Sequence, residues 1–211
     1  GIFAEMKQNI MRKDYPELTY DDLGDIYLID GQSSVLAPMS AKAQAYTEKT
    51  LLKKGVKLKL GVLVTDFVND EVHLSDGTVL DARNLIWAAG ISAKTFKGID
   101  GKEQIGRGRR MKTDAYNKVE GFDNIYAIGD ASIITTDPNY PEGHPQLAQV
   151  ALQQASNLGK NFNSDFQNPK PFSYIDKGSM AIIGRNEAVA DLPKEIFLKG
   201  FLAWAIWAFI H

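Results

Sequence analysis

Residues 124–130 have the sequence Asn-Ile-Tyr-Ala-Ile-Gly-Asp, an apolar run that ends in glycine and aspartate. Such a run predicts a buried parallel strand, and ligands of open α/β sheets bind beyond the carboxyl ends of their strands. Gly129 would let the backbone approach a ligand closely because it has no Cβ. Asp130 could accept hydrogen bonds from ribityl or ribose hydroxyls. An ordinary turn has the same pattern, so both interpretations stay open.

A helix is predicted downstream, over residues 146–162, after a proline-rich loop. Pro145 suits its first turn, because the N–H that proline lacks would have been unpaired there. The amides near Ala148 and Gln149 would lie at the positive end of the helix dipole, which stabilises a negatively charged ring. We expect this helix start and the segment ending at Asp130 to meet and form one wall of a ligand pocket. A surface helix whose Gln149 has no role is the alternative.

The first third of the chain alternates helices and strands. A helical pattern near the start stops at Asp14, and residues 25–30 predict a strand that ends in Asp30. Ser40 is a plausible N-cap for a helix that runs to about residue 54, with Gly55 as its stop. Antiparallel strands of a meander are then predicted over residues 56–60, 62–68, 71–74 and 78–80, with a tight turn at 75–77.

Residues 84–90 predict a further strand, which ends in Ala89 and Gly90. Small residues at a strand end leave room for a flat ring to lie against the backbone, although tight packing explains them equally. Residues 173–176 and 180–183 predict paired strands around Lys177 and Gly178.

The C-terminal stretch, residues 196–210, is almost wholly apolar and predicts a helix. At about 1.5 Å per residue it would be about 22 Å long, shorter than the roughly 30 Å hydrocarbon core of a bilayer. Trp204 and Trp207 favour the headgroup level. We expect a helix in the membrane interface, or the start of a longer anchor; a buried core helix and a dimer contact are the alternatives.

Composition excludes several classes of function. The 24 basic and 26 acidic residues give a net charge of -2, which provides no field for nucleic acid. There are no cysteines, so the chain holds no disulfide, thiolate metal site or redox thiol. The three histidines lack metal-ligand spacing, so no metal is expected. A basic cluster at residues 107–112 could hold a phosphate, but a solvated loop is the simpler interpretation.

The order of these stretches resembles the two-dinucleotide-binding-domain flavoproteins and, within them, the type II, non-proton-pumping NADH:quinone oxidoreductases. Trp-Ala-Ala-Gly at 87–90 and the Gly-Asp pair at 129–130 match the wider superfamily. Lys-Gly-Ser-Met at 177–180 and Phe-Leu-Ala-Trp at 201–204 are more particular. The resemblance implies an α/β fold: a partial two-domain FAD/NAD(P)-binding fold of the glutathione-reductase type, with an antiparallel β-meander insertion and a C-terminal apolar helix.

The resemblance also implies a division of the chain. Residues 1–92 would be the C-terminal part of an NAD-binding domain, 93–193 the C-terminal half of an FAD-binding domain, and 194–211 the start of a membrane-interfacial anchor. The family carries two Gly-x-Gly-x-x-Gly fingerprints, and neither occurs in this sequence. We therefore expect a C-terminal fragment, cut at both ends, that is inactive and binds neither cofactor well by itself.

Roles for individual residues follow from the resemblance alone. For NADH, Asp30 would bind the adenosine ribose, and Ala89 and Gly90 would border the nicotinamide. For FAD, Gly129 and Asp130 would bind the ribityl–pyrophosphate region, and the isoalloxazine ring would meet Ala148, Gln149 and Lys177. Gln149 would also contact the quinone, and the Lys177 cation would favour the anionic reduced flavin, which makes these two the catalytic candidates.

The implied reaction passes hydride from NADH to FAD and then electrons to a membrane quinone, without proton pumping. Implied partners are NADH, the quinone and the bilayer surface, at the cytoplasmic face of a bacterial inner membrane or its organelle equivalent. A homodimer with a second copy of the chain is compatible with the resemblance. Flavin disulfide reductases and sulfide:quinone oxidoreductases need cysteines, which argues against them. A non-catalytic α/β binding module that docks a partner or a membrane through its apolar C-terminal helix is the alternative from another class.

Overall fold

The computed structural model describes residues 1–99, 101 and 103–210. They form two compact units, one of Gly1–Ala89 with the chain from Lys177 onward, and the other of Gly90–Asp176. The first unit therefore contains both ends of the described chain. The division expected from the sequence has its boundaries after residues 92 and 193, which differ from those of the two units. The assignment of these parts to an NAD-binding domain, an FAD-binding domain and an anchor stays a prediction.

A helical segment opens the first unit. α1 (Ile2–Glu5) continues as a π-helical stretch, Met6–Met11, and then as α2 (Arg12–Asp14). The π-helical stretch buries Lys7, whose ammonium lies 3.8 Å from the centroid of the Tyr20 ring. The helix expected at the start of the chain is thus confirmed.

A parallel strand pair joined by a helix follows; the first strand and the helix are confirmed, whereas the second strand was expected in the meander. β1 (Ile26–Asp30) pairs in parallel with β2 (Val56–Leu60), and α3 (Ala41–Lys53) connects them. The Ser40 hydroxyl accepts a hydrogen bond of 3.2 Å from the N–H of Ala43 and so caps α3. Buried apolar residues of α3 and β2 form the core between them: Ala43, Leu51 and Val56.

An antiparallel meander is the next element of the first unit. β3 (Val64–Val68), β4 (Glu71–Leu74) and β5 (Val79–Asp81) form one sheet in that order, with the turn at residues 75–77. The expectation that residues 56–60 also belong to this meander is wrong, because they form β2. A short apolar run does not show by its pattern which strand it will pair with.

The second unit is built around one long helix. β6 (Met111–Lys112) and β7 (Ser132–Ile133) form a short parallel pair, and α4 (Ala148–Asn163) follows the proline-rich loop. The helix predicted over residues 146–162 is therefore confirmed. Asn161 of α4 ties down the chain beyond the helix, because its side chain exchanges two hydrogen bonds of 2.9 Å with the backbone of Lys170.

Two predicted strands do not form. Residues 84–90 belong to no strand, and within residues 124–128 only Tyr126 makes an isolated bridge, to Lys118. A strand needs a neighbour for its backbone groups, and no strand pairs with either segment in the described part of the chain. Ile86 and Trp87 are accordingly 61% and 66% exposed.

The C-terminal part of the first unit is an antiparallel sheet followed by a helix. The strands are β8 (Ser179–Gly184), β9 (Glu187–Leu192) and β10 (Ile196–Lys199), in the order β10-β9-β8. The hairpin expected around Lys177 is wrong, because β8 pairs with β9 instead of with residues 173–176.

The helix α5 (Gly200–Ile210) is shorter than the sequence predicts, because residues 196–199 form β10. At about 1.5 Å per residue, its 11 residues are about 16 Å long. Within residues 1–99, 101 and 103–210, no helix has the length and apolar character needed to cross a membrane. Ala203 is fully buried against Ala188 and Ala190 of β9, whereas Phe209 is 92% exposed.

A partly buried ion pair joins the first helical segment to the end of α3. The Lys54 ammonium donates to the Glu5 carboxylate, which also accepts a hydrogen bond of 3.3 Å from the N–H of Arg185. The hydrogen bond from Lys54 lowers the pKa of Glu5 below its ordinary value. A lowered folded-state pKa contributes stability above the unfolded-state pKa of about 4.3, and this stability is lost as pH falls through the folded-state pKa.

We expect Glu5→Gln to lower the free energy of unfolding at pH 7 and to flatten its decline below about pH 4. Denaturant titrations at stepped pH measure both effects. Glu48→Gln removes the same charge from an exposed position of α3, and its pH profile should follow the wild type. Superimposable profiles for Glu5→Gln and the wild type would contradict a contribution of this ion pair.

Candidate functional site

The Gly129–Asp130 turn lies directly against α4. Gly129 has a φ of 63°, and a Cβ on it would lie 3.0 Å from the Cβ of Ala151. The Gly129 N–H donates a hydrogen bond of 2.6 Å to Oε1 of Gln154. The two elements expected to form one wall of a ligand pocket are therefore in contact.

Side chains also hold the backbone on the far side of this turn. Nε2 of Gln146 donates to the Asp130 carbonyl at 3.1 Å, and the Ser132 hydroxyl donates to the Gly129 carbonyl at 3.2 Å. Asp130 itself is exposed. The backbone of the turn is thus held while its carboxylate stays accessible to the hydroxyls of a ligand.

The start of α4 suits an acceptor that comes from outside the helix. Leu147 stands at the N-cap and makes no side-chain cap hydrogen bond, because its side chain has no acceptor. Ala148 is exposed and Gln149 is half-buried in the first turn. A ring that carries carbonyl oxygens and negative charge fits this position, since the helix dipole is positive there. The residues present therefore fit an isoalloxazine ring.

The loop that leads into α4 is held by a buried cation, Arg110. Its guanidinium donates to the His144 carbonyl at 2.8 Å and to the Arg107 carbonyl at 3.2 Å. Burial, and then the neighbouring Arg107, lowers the pKa of Arg110. The basic cluster is thus not uniformly solvated: Arg110 is 7% exposed and fixes the chain immediately before Pro145.

His144 closes the same loop with its side chain. Its Nε2 lies 3.0 Å from a carboxylate oxygen of Asp137, and this hydrogen bond is the main reason that the pKa of Asp137 is lowered. The imidazole packs against the rings of Tyr140, Phe172 and Tyr174, with centroid distances of 4.9, 5.2 and 5.7 Å. These contacts keep the approach to α4 in one conformation.

A glutamine of α4 also holds the end of the second unit. Gln153 donates to the Ile175 carbonyl at 2.9 Å and accepts from the Ile175 N–H at 3.0 Å. Burial, with the nearby Asp176 carboxylate, raises the pKa of Tyr174 to about 12. The stretch before Lys177 is thus fixed on α4 by a two-point contact.

The candidate residues for NADH lie elsewhere. Asp30 ends β1 in the first unit, and its Oδ1 accepts a hydrogen bond of 2.9 Å from the N–H of Gln32. Ala89 closes the first unit and Gly90, with a φ of 89°, opens the second, and both are exposed. Their roles toward NADH stay predictions.

Lys177 belongs to the first unit and is exposed. It directly precedes Gly178, where an added Cβ would lie 2.4 Å from the carbonyl oxygen of Asp191 in β9. The Asp191 carboxylate accepts two hydrogen bonds of 2.7 Å from Ser40, through its N–H and its hydroxyl. The backbone next to Lys177 is thus closely packed on β9, while its catalytic role stays a prediction.

The sequence patterns do not single out Gln154, which is 2% exposed. The indication that could have identified it is its spacing, because it lies four residues from both Val150 and Leu158 on the buried face of α4. A polar side chain in an apolar row needs a hydrogen-bond partner. Here that partner is the turn that ends in Asp130.

Residues 6–155 match the family model described as pyridine nucleotide-disulphide oxidoreductase. Over 224 residues the chain is 34% identical to the type II NADH:quinone oxidoreductase Ndh of Mycobacterium tuberculosis, which covers 100% of this chain and 46% of that protein. Over 195 residues it is 32% identical to NdhA of the same organism, covering 88% of this chain and 41% of the relative. The chain thus spans less than half the length of these relatives.

Among solved structures, NDH2 of Plasmodium falciparum in complex with NADH superposes with a TM-score of 0.83 at 20% sequence identity. The match covers 99% of this chain and 57% of that one. This likeness confirms the predicted fold class, a partial FAD/NAD(P)-binding fold with a meander and a C-terminal apolar helix. The matched family model and the 34% identity to Ndh show that the chain belongs to the pyridine nucleotide-disulphide oxidoreductase family.

Proposed function

We propose that this chain is part of a longer FAD-dependent oxidoreductase that passes hydride from NADH to FAD and then electrons to a membrane quinone, without pumping protons. The similarity to two type II NADH:quinone oxidoreductases supports this function. The observation that carries it is the contact between the Gly129–Asp130 turn and α4, which joins an accessible carboxylate to a helix start.

FAD, when bound, would supply the redox chemistry, and the chain would supply binding, orientation and charge. Gly129 would allow close approach of the dinucleotide, and Asp130 would accept hydrogen bonds from its hydroxyls. Ala148 and Gln149 would meet the isoalloxazine ring at the start of α4, and Gln149 would also contact the quinone. The Lys177 ammonium would favour a negatively charged, reduced ring.

On the NADH side, the Asp30 carboxylate would accept hydrogen bonds from the adenosine ribose. A carboxylate there repels a 2′-phosphate and so favours NADH over NADPH. Ala89 and Gly90 would border the nicotinamide, because their small size leaves room for a flat ring.

The exposed apolar residues of α5 support association with a bilayer surface. Phe201, Leu202 and Phe209 are 63%, 57% and 92% exposed, and Trp204 and Trp207 lie on the same helix. Aromatic side chains of this kind favour the headgroup level. We propose peripheral binding at the cytoplasmic face of a bacterial inner membrane or its organelle equivalent, with a homodimer as a possible assembly.

The test uses the full-length protein that carries this chain, with FAD, membranes, NADH and a soluble quinone. We expect NADH oxidation that requires FAD, with NADPH as a poor donor. Asp30→Asn should reduce the preference for NADH, whereas Asp25→Asn, at the other end of β1, should leave it unchanged. Absence of NADH oxidation with FAD fully bound would favour a non-catalytic binding module instead.

The isolated chain of 211 residues is expected to purify without stoichiometric FAD or NADH. Its sequence contains neither of the two glycine-rich loops that cradle dinucleotide phosphates in this superfamily. Absorbance of the purified chain near the flavin bands measures this directly. A chain that retains one FAD per molecule would contradict the expectation.

A further inference from the structure

We propose that Gln154 is a positioning residue that holds the Gly129–Asp130 turn in the shape that binds a flavin dinucleotide. The identity of the ligand rests on the proposed function, but the positioning of the turn rests on geometry alone. Gln154 would act through Asp130 and would not touch the ligand.

The burial of Gln154 shows that its amide is not a surface group. The residue is 2% exposed and lies between the buried Val150 and Leu158 on one face of α4. A buried amide is unfavourable unless its polar atoms are hydrogen-bonded. Its Oε1 accepts a hydrogen bond from the turn that precedes β7.

One N–H of the turn donates to this oxygen, and a hydroxyl of the turn lies beside it. The Gly129 N–H donates to Oε1 at 2.6 Å, and the Ser132 hydroxyl lies 3.4 Å from it. The same hydroxyl donates to the Gly129 carbonyl at 3.2 Å. Gln154 therefore joins the residue before Asp130 to the residue two positions after it.

The conformation at Gly129 is one that a side-chain acceptor can select. Its φ of 63° lies in the left-handed region, and its α-carbon faces Ala151 so closely that an added Cβ would be 3.0 Å away. Glycine also has many other conformations open to it, so a hydrogen bond from its N–H to Gln154 would favour this one. With the Asp130 carbonyl held by Gln146, the position of the Asp130 carboxylate follows.

The experiment measures the dissociation constant for FAD in the full-length protein by fluorescence titration of the apoprotein. Gln154→Leu removes the acceptor at nearly constant volume and should raise the constant at least tenfold. Gln154→Glu keeps an acceptor oxygen at the same position, and its buried carboxyl group becomes neutral instead of carrying a charge; it should bind FAD at least threefold more tightly than Gln154→Leu. The control, Leu152→Gln, changes a residue of α4 that is 71% exposed and should leave the constant unchanged.

A second readout does not depend on FAD. Hydrogen exchange at the Gly129 amide of the apoprotein should accelerate at least tenfold in Gln154→Leu and recover in Gln154→Glu. If Gln154→Leu does not fold, Gln154→Met takes its place in both measurements.

The outcomes separate the two proposals. Wild-type FAD affinity in Gln154→Leu, unchanged Gly129 exchange, or failure of Gln154→Glu to restore either quantity would overturn the positioning role. A wild-type protein that binds no FAD would contradict the proposed function, while the exchange of the Gly129 amide would still decide whether Gln154 positions the turn.

Discussion

Gly178→Ala is expected to lower the free energy of unfolding of the first unit by about 3 kcal/mol. Gly178 has a φ of 94°, and an added Cβ would lie 2.4 Å from the Asp191 carbonyl oxygen and 3.0 Å from the α-carbon of Leu192. Both atoms belong to backbone of β9, which cannot turn aside as a side chain can. The strand or the segment that carries Lys177 must therefore move.

Chemical denaturation of the variant and the wild type measures this effect. Gly77→Ala is the matched control, because Gly77 has a similar φ of 84° but nothing within 4 Å of its added Cβ. It should cost only the conformational strain, about 1 kcal/mol. Equal losses in the two variants would show that strain alone, and not packing on β9, requires glycine at position 178.

Ala203→Asp is expected to destabilise the packing of α5 by about 4 kcal/mol. Ala203 is 0% exposed and packs against Ala188 and Ala190, which are also fully buried. A carboxylate at this position would be buried in a cluster of apolar side chains. The helix would leave the sheet, or the carboxyl group would become neutral. Denaturant unfolding, followed by the fluorescence of Trp204, measures the loss.

Phe209→Asp introduces the same charge at the other end of α5, where the side chain is 92% exposed. Its stability in water should stay within about 0.5 kcal/mol of the wild type. Binding of the full-length protein to phospholipid vesicles should nevertheless weaken, because α5 is the proposed contact with the bilayer. Equal destabilisation by both substitutions would contradict the packing of α5 described here, and unchanged vesicle binding would contradict its membrane role.

The elements that the sequence predicts correctly are those with local causes. Ser40 marks the start of α3 through its own hydroxyl, and the prolines before α4 mark that helix. The meander β3–β5 has tight-turn residues at 75–77 that bring its strands together. In each case residues within a few positions of one another supply the reason for the structure.

The errors concern short apolar runs whose structure depends on a distant partner. Residues 56–60 pair with β1 rather than with the meander, and residues 196–199 form a strand on β9 rather than a turn of α5. Residues 84–90 and 124–128 have the composition of strands, but in the described part of the chain neither forms a strand, and the latter makes only an isolated bridge at Tyr126. Composition gives a strand its propensity, and pairing gives it its hydrogen bonds.

The candidate site likewise has a part that was predicted from the sequence and a part that was not. The contact between the Asp130 turn and α4 was predicted from the sequence, although the strand expected to lead into that turn does not form. The roles of Gln154 and Arg110 were not, because a buried polar residue looks like a surface one until its environment is known. Their partners lie 25 and 34 residues away in sequence, at Gly129 and His144.

The resemblance to a family, the fold class and most helices could be read from the residues, because motifs, caps and turn residues act within a few positions. Strand pairing, the first residue of α5 and the burial of Gln154 and Arg110 became known from the folded chain. Pairing and burial depend on groups far apart along the chain, and their free energy exists only once the fold has brought them together.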